Sequence, residues 1–193
     1  MTATMTVRGR AAHIALGILI VLTICLSPRA VGSAQAASPL LNWYALGNLT
    51  YDLPAAPGGK VKLVNGAFSA PITEGSATKF EVQLAPIAML GDMTGGGLPD
   101  AAVVLVSKSG GSGTFYDLTV VLNLNGALQP VKPVHLGDRI AVRAIGIDKQ
   151  VMKVVIDTQS SSAAMTVLDV RSTRTYVIEN NQLVQTHRTD VKI

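Results

Sequence analysis

The sequence has a single cysteine, Cys25, and it lies inside an apolar run near the N-terminus. If that run leaves on export, the mature chain has no thiol. A disulfide framework, a cysteine nucleophile and a thiolate metal site are then excluded together. Histidine is almost as scarce: past the N-terminal segment only His135 and His187 remain, so any Ser-His or histidine-metal chemistry must use one of them. Neither sits in a recognisable motif, and the expected role of each is a solvent-facing or hydrogen-bonded strand histidine. Aromatic residues make up 4% of the chain. Trp43-Tyr44 is the pair placed to stack on a sugar, and a hydrophobic plug at the core edge is the preferred reading of it. Helical periodicity is lacking throughout, although Leu40 to Leu46 leaves room for a short helix.

The N-terminal segment carries Arg8 and Arg10, an uncharged run from Ile14 to Leu26, then Pro28, Arg29 and the small-residue pattern Ala34-Gln35-Ala36. The run is shorter than the ~20 residues a membrane span needs. Residues 1–36 are therefore expected to be a signal peptide cleaved after Ala36, with residues 37–193 forming one domain that is secreted or periplasmic. Leu22-Thr23-Ile24-Cys25 half fits a lipoprotein box, but Ile24 is bulky where a small residue is required. Lipid anchoring at Cys25, which would bring membrane attachment with it, is the lesser reading. Losing residues 1–36 also removes Arg8, Arg10 and Arg29, which leaves 13 Lys plus Arg against 12 Asp plus Glu. A surface so nearly neutral provides little drive toward phosphate backbones, so no nucleic-acid partner is expected.

What the chain has in quantity is strand-forming sequence. Val, Ile and Thr segments alternate with Gly, Asn, Asp and Pro breaks, and strands are expected at 48–53, 60–64, 78–85, 101–107, 114–123, 139–148, 151–158, 165–170, 173–179 and 183–187. Asn65-Gly66 and Asn125-Gly126 can take the positive φ of tight hairpin turns, and Asp148-Lys149-Gln150 and Asn180-Asn181 read as two further reversals. Residues 101–106 are apolar throughout, which places that strand, and the neighbouring 118–122 segment, centrally with both faces covered. The expected fold is all-β, an antiparallel meander forming a sandwich or a strongly curved sheet or partly open barrel. Ser160 to Ala164 reads as a mobile loop.

Several patterns invite a chemical reading. Asp92, Thr94 and Asp100 stand at the first, third and ninth positions of a shortened calcium loop, but the fifth is Gly96 and Val103 replaces the bidentate glutamate. The competing reading has Asp92 and Asp100 accepting backbone N–H bonds in a glycine-dense turn. Gly110-Gly111-Ser112-Gly113 lacks the glycine of a nucleophile elbow and the lysine of a phosphate loop, and is expected to be a plain hairpin connection. Asp117, Asp138 and Asp157 are scattered, so a carboxylate pair would have to be assembled in three dimensions.

The block from Gly91 to Gly126, GDMTGGGLPDAAVVLVSKSGGSGTFYDLTVVLNLNG, with Leu136 to Val142, LGDRIAV, resembles uncharacterised bacterial secreted or lipid-anchored β-domain proteins. Those read more nearly GDLNGDGxxDAAVVL, GSGTFxxLAVVLN and LGDRVxV. Many carry an Asp-Pro-Met-Cys-Cys-Pro-Thr segment where this chain has Gln159 to Met165, so any function of those cysteines is missing here. The resemblance implies export and a β fold, and no established activity. The combined expectation is a non-catalytic exported domain, an interaction or structural module with an unidentified envelope or extracellular partner. The alternatives are a calcium-stabilised binding module on the Asp92–Asp100 loop and a hydrolase with dispersed site residues.

Overall fold

The computed structural model describes residues 41–164 and 167–193. The expected signal peptide and its cleavage site lie outside them, as do the first two residues of the strand expected at 165–170. Among the described residues the only α-helix is a single turn, α1 (Trp43–Leu46), and the rest of the regular structure is almost entirely strand. A two-stranded sheet pairs β1 (Thr50–Asp52) with β2 (Lys60–Lys62). A six-stranded, strongly curled sheet contains β3 (Ala67–Pro71), β4 (Lys79–Gly91), β5 (Asp100–Lys108), β6 (Phe115–Leu124), β7 (Ala127–Pro130) and β8 (Val134–Asp138). A four-stranded sheet runs in the order β12 (Gln182–Lys192), β11 (Val170–Glu179), β10 (Val151–Thr158), β9 (Ala141–Asp148). Every pairing between these strands is antiparallel, so the all-β meander is correct.

The turns form where short polar residues tolerate a left-handed backbone. Asn65, Asn125, Lys149, Gln150, Asn180 and Asn181 all have φ between 48° and 67°, and all four expected reversals are present. Strand β5 is the spine. Ala101, Val103 and Leu105 face one hydrophobic cluster, built with Leu46, Tyr51, Val61, Leu63, Phe80 and Val82. Ala102 and Val104 face the other, built with Leu118, Val120, Ile145, Met152, Val154 and Ile156. The six-stranded sheet is thus the middle layer, covered by α1, β1 and β2 on one side and by the four-stranded sheet on the other. Both faces of β5 are buried because both face a core. Truncating Val104 or Leu118 to Ala would leave a cavity costing about 2–4 kcal/mol.

Two local departures shape the sheets. In β4 the register slips between Leu84, opposite Leu105, and Ala88, opposite Val103. Pro86 lies in the slip, where its missing N–H breaks no ladder bond. After this bend Gly91 meets β9 so closely that an added Cβ would stand 2.6 Å from Ile147 Cγ2. Only glycine fits that crossing.

The structure corrects several boundaries. β3, β7 and β8 were not expected as strands. β7 and β8 together lie along one edge of β6, interrupted around Val131 to Pro133, because Pro130 and Pro133 cannot donate to a ladder. Residues 167–169 are not strand, β11 starts only at Val170, and β12 continues to Lys192. Ser160 is no loose loop residue: its N–H and hydroxyl donate to the two oxygens of Asp169 at 2.7 Å each.

Candidate functional site

One end of the middle sheet carries a cleft of about 430 Å³, lined by Leu53, Pro54, Ala55, Ser107, Phe115, Asp117, Pro133 and His135. Strand register explains why these residues meet. Leu105 stands opposite Asp117, Ser107 opposite Phe115, and His135 opposite Asp117. Alternation along β5 carries Ser107 to the same face as Ala101, Val103 and Leu105, but at the sheet's end, where that apolar cluster gives out. A register shift in β8 between the partners of Tyr116 and Asp117 aims His135 at Asp117. The chain leaving β1 supplies the opposite wall through Leu53, Pro54 and Ala55.

The polar groups of this cleft are incompletely paired. His135 Nδ1 lies 3.1 Å from Asp117 Oδ1, so a proton on Nδ1 donates to the carboxylate. Asp117 has only 13% of its side chain exposed while His135 has 55%. Burial pushes the Asp117 carboxyl above the usual carboxylate range, and the His135 hydrogen bond offsets this only in part. Among the described residues no donor reaches Asp117 Oδ2. Ser107 is 1% exposed and its hydroxyl is buried with no hydrogen-bond partner, a state that costs about 1–3 kcal/mol. Phe115 stands with its ring centroid 6.1 Å from that of His135. Its ring leans on the backbone at Gly113, where an added Cβ would lie 2.7 Å from Phe115 Cζ. No family model matches the chain, and no curated protein or solved structure matches it.

The residues singled out by sequence are mostly occupied elsewhere. Asp92 Oδ1 accepts from the N–H of Thr94 at 3.1 Å and of Gly95 at 2.7 Å, and Oδ2 accepts from Gly97 at 2.8 Å. The Thr94 hydroxyl also donates to Oδ1, at 3.4 Å. These bonds, Gly97 foremost, hold the Asp92 carboxyl below its usual range. Asp100 is 1% exposed. Its oxygens face the N–H groups of Met93 at 2.9 Å and Asn123 at 2.8 Å, tying the loop to β6. The carboxylates therefore serve backbone donors, and no cluster of three or more His, Cys, Asp or Glu with metal-holding geometry occurs among the described residues.

The carboxylates of Asp117, Asp138 and Asp157 each have their own partners. Asp138 accepts from the Thr114 N–H at 2.8 Å and pairs with Arg139. Asp157 belongs to the four-stranded sheet, where Arg143 Nε at 2.6 Å and Arg171 Nε at 2.8 Å hold it. These guanidiniums, Arg171 first, pull its carboxyl down to about 2. His187 lies on exposed β12 with Nε2 3.0 Å from Thr189 Oγ1. Gly110 to Gly113 fall in the β5–β6 connection, as expected.

Trp43 and Tyr44 overturn the plug reading, being 47% and 73% exposed. α1 is one turn, capped by Asn42 Oδ1 accepting from the Ala45 N–H at 2.8 Å, and its buried residue is Leu46. Sequence reasoning missed Ser107, whose only signal was its parity with Leu105. It also missed Arg174, 7% exposed, which donates to the Leu136 carbonyl at 2.9 Å and links β11 to β8.

Proposed function

We propose that this is an exported, non-catalytic binding domain whose small ligand enters the cleft between β1 and the β5–β6–β8 end of the middle sheet. The observation that carries this reading is convergence. Five apolar residues, Leu53, Pro54, Ala55, Phe115 and Pro133, surround three polar ones, Ser107, Asp117 and His135, in a concavity of about 430 Å³. That combination is the usual make-up of small-molecule sites. A depression of about 470 Å³ at the β9–β10 hairpin, lined by Gly146, Ile147, Asp148, Lys149, Val151 and Lys153, lacks a buried, unpartnered group. Export rests on the leader pattern of residues 1–36, and the partner class on the cleft alone. The test is amide NMR with a library of small apolar fragments. Saturable shifts confined to the neighbours of Ser107, Phe115 and His135 are expected. A library that moves no resonance there would end the proposal.

A hydrolase is the second reading, favoured by one observation: Ser107, His135 and Asp117 share this cleft. What weighs against it is that the Ser107 hydroxyl donates no hydrogen bond to His135, so no base is in place to activate it. Turnover of an activated ester that disappears in Ser107→Ala would establish that reading in place of the first.

A further inference from the structure

We propose that the floor of the cleft is a cation subsite, in which Asp117 and Ser107 take the ammonium group of a small primary amine. The inference rests on the binding reading above and adds the chemistry of the ligand's head. Two acceptor atoms are left without donors: Asp117 Oδ2, for which the described residues supply none, and Ser107 Oγ, which is buried and unpaired. Ser107 and Asp117 are diagonal neighbours on one face of adjacent strands, and both line the cleft. An ammonium carries three donors and no acceptor, which complements both oxygens at once.

Charge selects among the candidate heads. Asp117 and His135 are the only titratable residues lining the cleft, and neither lysine nor arginine joins them. An anionic head would meet the Asp117 carboxylate without a fixed cation to offset it. A hydroxyl would satisfy Ser107 but leave the carboxylate's charge uncompensated, and burial already disfavours that charge. A cation reverses the penalty. The apolar body of the ligand then lies against Leu53, Pro54 and Pro133, and Phe115 offers an aromatic face close to the positive head.

The experiment is calorimetric titration of the purified protein with three probes of matched body: phenethylamine, 2-phenylethanol and phenylacetate. The amine is expected to bind at least about ten times more tightly than the alcohol, and phenylacetate not to bind measurably. Asp117→Asn should bring the amine down to the alcohol's affinity while leaving the alcohol unchanged, and Ser107→Ala should narrow the preference by about three-fold. Equal binding of all three probes overturns the cation subsite and leaves the binding reading standing. Binding of none overturns both. If Asp117→Asn melts early, the Ser107→Ala titration decides, and an undiminished amine preference there would overturn the proposal.

Discussion

Asp157 and Asp117 are both buried aspartates on strands, and they titrate in opposite directions. Asp157, on β10, is met from β9 and β11 by two guanidiniums, and its carboxyl sits at about 2. Asp117, on β6, has one histidine on one oxygen, and burial raises it. The first is a closed account of charge: every lone pair that matters has a donor, and three strands are tied together. The second is left open beside an unpartnered serine. In this fold the fully paired carboxylate builds the sheet, and the underpaired one is where a ligand has something to supply.

The largest expected effect is at the closed site. Asp157→Asn strips two half-exposed arginines of their common anion and should lower the melting temperature by about 5 °C at neutral pH. The folded pKa lies below the unfolded value of about 3.9, so this stabilisation is complete above about pH 5 and is lost as pH falls toward 2. The gap between wild type and variant, followed by melts across pH, should therefore close on acidification. A gap that stays constant with pH would break the assignment. Asp92→Ala should cost less, about 3 °C, because the acceptor of three backbone donors is lost from an exposed loop. With that loop held by its own N–H groups, excess calcium or chelator should leave the wild-type midpoint unmoved. A rise of several degrees with calcium would instead support the calcium-loop reading of Asp92, Thr94 and Asp100.

The open site should respond with the reverse sign. Ser107→Ala removes a buried hydroxyl that bonds to nothing, and should raise the midpoint by about 2 °C. Asp117→Asn should raise it by about 1 °C at neutral pH. Here the folded pKa is above the unfolded one, so the destabilisation is absent in acid, sets in as pH rises past the unfolded value and is complete above the folded one. The advantage of the variant should accordingly vanish at about pH 3. A loss of stability in either variant would mean that these groups have partners and that the contrast is false.

The division between legible and illegible features follows the range of the interactions involved. Turn residues act on their own backbone, so Asn65-Gly66 and Asn125-Gly126 were readable, and an unbroken apolar run identified β5 as the central strand. The Asp92 loop was readable to the same extent, since its bonds span two to five residues. The cleft was not. Ser107, Asp117 and His135 come from three strands, and the β8 register depends on a slip beside Tyr116 that leaves no mark in the sequence. Pro130 and Pro133 hid β7 and β8 by breaking the pattern that announces a strand. Arg174 defeats a polarity argument, because its cost of burial is offset by a carbonyl 38 residues away in β8.

On the proposed division, ligand affinity lies with Asp117 and fold stability with Asp157. Titrating phenethylamine into Asp117→Asn and Asp157→Asn side by side, at a temperature where both are folded, tests it directly. Asp117→Asn is expected to lose at least about ten-fold in affinity and Asp157→Asn to bind as the wild type does. Undiminished binding in Asp117→Asn, or an equal loss in both, would contradict it.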